Sequence, residues 1–200
     1  MASPVTFWFE FASTYSYLSV MRIEAEAEAR GIEVTWKPFL LGPIFKAQGW
    51  DTSPFSIYPA KGENMWRDLE RRAEKYGLPF DRSAKTLFPQ NTVLAARVAI
   101  ACLHEDWGRD FCRRVFRAAF AEGRDISDPA TIADCLETAG GASQVYLKMA
   151  HSDSQKKALR ANVDEARSLG IYGAPSFVVD GELFWGDDRL EDALDWASRD

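Results

Sequence analysis

Near the start of the chain Val5, Phe7, Phe9 and Phe11 alternate with Thr6, Trp8 and Glu10. Alternation at period two predicts a strand, and aromatics in both sets predict one covered on both faces and central in its sheet. Over residues 16–30 the apolar positions Leu18, Met21, Ala25 and Ala29 fall at helical spacing, with Glu and Arg between them and Gly31 as the stop. Residues 32–38, IEVTWKP, read as a second strand. Strand, helix and strand so close together make a crossover unit with two parallel strands.

After Gly42 the pattern changes. PIFKAQGWDTSPFSIYPAKG is loop-like, and helical periodicity then dominates, predicting helices over 63–76, 92–105, 111–121, 129–139 and 154–168. Ser127-Asp128-Pro129 offers a cap and a first-turn proline for the fourth, and Ser152-Asp153 caps the fifth. The strand pattern returns at 176–179 and 182–185 around Asp180-Gly181, a two-residue hairpin turn, and a helix closes the chain over 188–197. The fold class expected is α/β: residues 1–41 and 170–200 form one domain, into which 42–169 insert as an all-helical domain.

With 200 residues, 46% apolar and 13% aromatic, the chain can build a compact core. The net charge of −6 has no long run of one sign, which argues against nucleic acid and a polybasic membrane patch. No basic region followed by an apolar stretch opens the chain, and no window reaches the ~20 apolar residues that cross a bilayer, so no membrane association and a cytoplasmic location are expected. Cys102, Cys112 and Cys135 lack CxxC or metal-ligand spacing and read as reduced, inert thiols; no metal site is expected.

Strand, helix, strand, hairpin and helix, with a proline opening the hairpin and a helical insertion between, resembles the thioredoxin plan in its DsbA branch. In redox members the end of the first strand and the start of the first helix carry Cys-x-x-Cys. Here the slot reads Ser13-Thr14-Tyr15-Ser16. A thiol must then come from outside, and glutathione is the natural candidate. FEFASTYSYL, WKPFLLGPIFKAQG, PAKGENMWRDLERRAEKYGLPF, FPQNTVLAARVA, EGRDISDPATIADCLETAG and GIYGAPSFVVDGELFWGDDRL together resemble the 2-hydroxychromene-2-carboxylate isomerase family, kin to the kappa-class glutathione transferases.

The resemblance implies a glutathione-dependent isomerase in which Ser13 is the catalytic residue holding glutathione as thiolate. Lowering a thiol pKa of ~8.5 by two units takes about 2.7 kcal/mol. A helix N-terminus supplies ~0.3–1 kcal/mol, up to ~2 when partly buried, and a hydroxyl bonded to a charged group about 1.5–3. Together they suffice; the helix alone falls short. The plainer account of Ser13 is an N-cap.

By the same resemblance, Pro175 is the cis-proline beside the active loop. Ala174, where relatives often carry valine, pairs through its backbone with the cysteinyl part of glutathione. Asp188, with Asp187, receives the γ-glutamyl ammonium group, and Arg189 is structural. Lys61 reaches the glycine carboxylate or the substrate carboxylate. Asn91 bonds the aromatic carboxylate substrate, with capping of the helix after Thr92 as its alternative. Trp8, Phe39, Trp50, Phe55, Trp66 and Trp185 include candidates for walls of the substrate pocket, although most aromatics are core. Relatives often place proline after the serine; this chain has Thr14. A homodimer is expected, as is usual in the family. The alternatives are a transferase or peroxidase that consumes glutathione, and a glutathione-binding module without chemistry.

Overall fold

The computed structural model describes residues 2–199. Its sheet has the order β2-β1-β3-β4, with β1 at Val5–Phe9, β2 at Val34–Pro38, β3 at Ser176–Val179 and β4 at Glu182–Trp185. β1 pairs with β2 in parallel and with β3 antiparallel, which makes it central as its aromatic content predicts. In this register Phe7 lies between Trp36 and Phe177, with ring centroids 5.4 and 5.3 Å away. Such pairs contribute ~0.5–1.5 kcal/mol each beyond area burial.

Both faces of β1 are covered. Phe7 and Phe9 enter the larger core, whereas Trp8 enters a smaller cluster with Phe39, Ile44, Val163, Ala166 and Ile171. The strand is shorter than the aromatic run: it ends at Phe9, and Phe11 already belongs to the turn leading to the first helix.

The predicted helix over 16–30 is two helices, α1 at Thr14–Val20 and α2 at Ile23–Glu28. The interruption follows from a tertiary demand: Arg22 sits between them and points its guanidinium at Asp187 and Glu191. The second strand begins at Val34, two residues later than its hydrophobic pattern suggests, although Ile32 is still buried.

Among the described residues eight α-helices lie between β2 and β3: α3 at Leu41–Ala47, α4 at Pro54–Ile57, α5 at Pro59–Tyr76, α6 at Val93–Cys102, α7 at Gly108–Phe120, α8 at Pro129–Ala139, α9 at Ser143–Ala150 and α10 at Asp153–Ser168. α8 matches its sequence signals, with Asp128 accepting from the Ala130 N–H, Pro129 in the first turn and Gly140 at φ +103° as the stop. α3, α4 and α9 lie where no helix is expected. α9 lacks a side-chain cap and is held from outside, its Tyr146 packing edge-on against Trp107 at 5.0 Å. The helical segment shares the core of the sheet: Phe116 of α7 lies 5.0 Å from Phe11 and 6.1 Å from Phe9. The closing helix is α11, Leu190–Ala197, preceded by a 3-10 turn at Asp187–Arg189. No described helix is long and apolar enough to cross a membrane.

Candidate active site

The centre of the sheet delivers Ser13 to a cleft. After β1 the chain turns, with the Ser13 N–H donating to the Glu10 carbonyl at 2.9 Å, and α1 begins. Ser13 is the N-cap: its Oγ accepts the Ser16 N–H at 3.1 Å. The same oxygen donates its proton to the Ala174 carbonyl at 2.8 Å. The N–H groups of Thr14 and Tyr15 have no partner among the described residues, as befits a first turn. Ser16, the other end of the four-residue slot, is fully buried and its hydroxyl is without a partner there.

The half-buried Ser13 opens on a cleft of about 950 Å³ between the sheet and the helical segment. This is at the upper end of the ~300–1,000 Å³ usual for small-molecule sites. Ala174 and the cis bond to Pro175 form one side beside Ser13, and the Ala174 N–H lacks a described partner. Lys61 projects from the first turn of α5, exposed, with Nζ 5.3 Å from the centroid of Phe55. Gly62 makes this approach possible, because a Cβ there would overlap the Phe55 carbonyl oxygen. Asn91 also lines the cleft; its Oδ1 accepts the Val93 N–H at 3.1 Å, which is the helix-start role, and its amide N–H₂ is free to face a ligand.

Asp187 and Asp188 part company. Asp187 is 1% exposed, and its carboxylate accepts from Ser19 at 2.9 Å, Arg22 at 3.0 Å and Arg72 at 2.7 and 3.1 Å. Its acceptor capacity is filled by α1, the α1–α2 junction and α5, so the expectation that it receives an ammonium group is corrected: it fastens the turn before α11. Asp188 is exposed on the cleft with one long ion pair, 3.6 Å, to Arg189. Arg189 also pairs with Asp192 at 2.8 Å.

Of the aromatic candidates, Trp50, Phe55 and Trp185 line the cleft, whereas Trp8, Phe39 and Trp66 are core. The exposed Trp185 packs over Gly173 and lies 4.9 Å from Tyr172. Tyr15 donates to Asp68 at 3.0 Å inside the cleft; burial first, then this carboxylate, pushes its phenol pKa up.

Glu10, in sequence only a polar position of the first strand, has a second role in the structure. It lines the cleft, is buried, and accepts from the Ala12 N–H at 2.9 Å and from the Thr92 hydroxyl. Burial pushes its pKa from 4.5 to about 7 against the lowering effect of those two bonds. A charged residue inside the aromatic run FWFEF is the signal that could have found it. The three cysteines are all buried, and burial pushes the thiols of Cys102 and Cys135 up to about 12 and about 11.

The donors suit a peptide thiol. Hydroxyl and amide groups at a helix start suit an anion, the free Ala174 N–H suits an extended backbone, Asp188 suits an ammonium group and Lys61 a carboxylate.

A family model for the DSBA-like thioredoxin domain matches residues 4–195. The chain is 26% identical over 201 residues to a 2-hydroxychromene-2-carboxylate isomerase of Sphingobium xenophagum, covering 96% of each chain. It is 26% identical over 210 residues to glutathione S-transferase kappa 2 of Caenorhabditis elegans, covering 97% of this chain and 91% of that one. Among solved structures, a 2-hydroxychromene-2-carboxylate isomerase superposes with a TM-score of 0.79 at 24% identity, over 93% of this chain and 90% of the other. The cytosolic disulfide reductase DsbM of Pseudomonas aeruginosa, solved with glutathione, superposes at 0.68 and 16% identity, over 98% of this chain and 96% of that one.

Proposed function

Since the chain belongs to the DSBA-like thioredoxin domain family, with enzymes among its relatives over nearly the whole length, we propose that it is a glutathione-dependent isomerase. Its substrate is 2-hydroxychromene-2-carboxylate or a related intermediate of aromatic breakdown. The observation that carries this reading is Ser13: a half-buried hydroxyl at a helix start, open to a cleft of about 950 Å³ and touching the Ala174 carbonyl.

When bound, glutathione supplies a thiolate that adds reversibly to the substrate's conjugated double bond, allowing rotation before it leaves. Ser13 turns its hydroxyl from the Ala174 carbonyl to the sulfur while still accepting the Ser16 N–H. A neutral hydrogen bond worth about 0.5–1.5 kcal/mol is exchanged for one to a charged group worth about 1.5–3, so the exchange is favourable. The released Ala174 carbonyl can then accept a ligand N–H. Asp188 holds the γ-glutamyl ammonium, Lys61 a carboxylate, and Asn91 offers its amide to the substrate. Trp50 and Phe55 wall the apolar side and exclude water.

Titration with glutathione, followed by an absorbance assay on 2-hydroxychromene-2-carboxylate with Ser13→Ala in parallel, tests the reading. Glutathione-dependent turnover that falls with the substitution supports it, and absence of glutathione binding overturns it. The kappa-class relative favours a second reading, a transferase. Stoichiometric loss of glutathione during turnover would select that reading; binding without turnover, unaffected by Ser13→Ala, would select a module without chemistry.

A further inference from the structure

Glu10 is a buried carboxyl group that no described cation compensates. Its oxygens are bonded to the Ala12 N–H and the Thr92 hydroxyl, and its main-chain carbonyl to the Ser13 N–H. Glu10 and Ser13 are therefore the two ends of one main-chain turn, and both residues line the same cleft. Charged side chains along that cleft include Asp51, Lys61, Asp68, Arg72 and Asp188, yet no cation or anion shifts the titration of Glu10; its burial does, against the bonds from Thr92 and Ala12. From the residue that precedes α6, the group facing it is the neutral Thr92 hydroxyl.

A thiolate at Ser13 brings a second negative charge into this space. Like charges in a buried site oppose one another strongly, and one of the two is relieved by taking a proton. Here the relief needs no outside acceptor. The S–H bond breaks, an O–H bond forms on the carboxylate, the electron pair stays on sulfur, and nothing is oxidised or reduced.

We propose that Glu10 takes up the proton given up by a thiol at Ser13, so that the thiolate forms in the cleft without expelling a proton to solvent. This rests on the reading of Ser13 as the group that holds glutathione. When sulfur leaves the substrate and the tripeptide departs, the same carboxyl returns the proton.

Calorimetric titration of the full chain with glutathione in two buffers of different ionisation heat counts the protons released, and ultraviolet thiolate absorbance reports the sulfur. At about pH 8, above the Glu10 value and below the ~8.5 of a free thiol, the wild type forms thiolate with almost no proton release. Glu10→Gln releases close to one proton per thiolate formed. In the wild type, lowering the pH to about 6 raises release toward one per thiolate, because Glu10 is already protonated. Thr92→Val, which removes a bond that lowers the Glu10 pKa, moves that transition to higher pH.

Equal release by wild type and Glu10→Gln, with the thiolate signal present in both, overturns the role of Glu10 and leaves that of Ser13 standing. If Glu10→Gln does not fold, a release profile in the wild type that is flat between those pH values overturns it equally. A wild type that binds no glutathione, or binds it as thiol, overturns both.

Discussion

The Ser13 hydroxyl and the Ala174 carbonyl meet at 2.8 Å although 161 positions separate them in the chain. One bond thus joins the first helix start to the loop before the hairpin, and one proton serves as both structural link and candidate catalytic donor.

Ser13→Ala removes the cap and this link together. Stability falls by ~0.5–2 kcal/mol, as for other lost caps. Loss of about 1.5–3 kcal/mol of thiolate stabilisation lowers kcat/KM roughly 10- to 100-fold. Denaturant unfolding and the isomerase assay measure the two effects separately.

Thr14→Pro tests the expectation that a proline suits the position after Ser13. Thr14 is the first residue of α1, its N–H has no described partner, and Ser13 at φ −79°, ψ 115° already has the extended backbone a following proline requires. The substitution raises stability by about 0.4–1 kcal/mol, read as a higher denaturation midpoint.

The two neighbouring aspartates separate by experiment. Asp187→Ala leaves Arg22 and Arg72, 11% and 23% exposed, without their shared partner, and costs ~3–5 kcal/mol of stability. Asp188→Ala leaves the unfolding midpoint almost unchanged and weakens glutathione binding in calorimetry.

Stability itself depends on pH through Glu10. Its folded pKa, about 7, lies above its ordinary value of 4.5, so between these values the folded chain binds the proton that the unfolded chain has lost. Its contribution is full below about 4.5, declines as pH rises, and is gone above about 7, with a slope of at most ~1.4 kcal/mol per pH unit. The unfolding free energy of Glu10→Gln lacks this decline, which paired denaturant titrations across the window reveal.

Gly62→Ala tests the junction that presents Lys61. The new Cβ would overlap the main-chain oxygen of Phe55, which cannot move as a flexible side chain does. A loss of ~1–3 kcal/mol, typical of overpacking, accompanies weaker binding of carboxylate ligands, read by unfolding and calorimetry.

The elements most legible in the sequence carry their own local signals. The hairpin strands match residue for residue, because Asp180 at φ +50° and Gly181 at φ +85° meet the needs of a tight turn. α8 does so through Asp128, Pro129 and Gly140. The Ser13 slot was legible because the end of an aromatic strand abuts a serine-capped helix. The break between α1 and α2 was not: the residues around Arg22 have helical spacing, and an ion pair to Asp187, 165 positions away, gives that residue its direction. Nor was α9, whose packing surface lies on Trp107.

By itself, then, the sequence determined which segments become strands, where α8 and α10 start, and that a hydroxyl rather than a thiol stands where the first strand gives way to the first helix, since these depend on residues a few positions apart. Tertiary structure decided which polar groups are already satisfied and which face a ligand. Thr92 reaches Glu10 across 82 positions, and Arg72 reaches Asp187 across 115. Desolvation and ion pairing are properties of assembled neighbours, so the pKa of Glu10 and the division of labour between Asp187 and Asp188 exist only once the chain has folded.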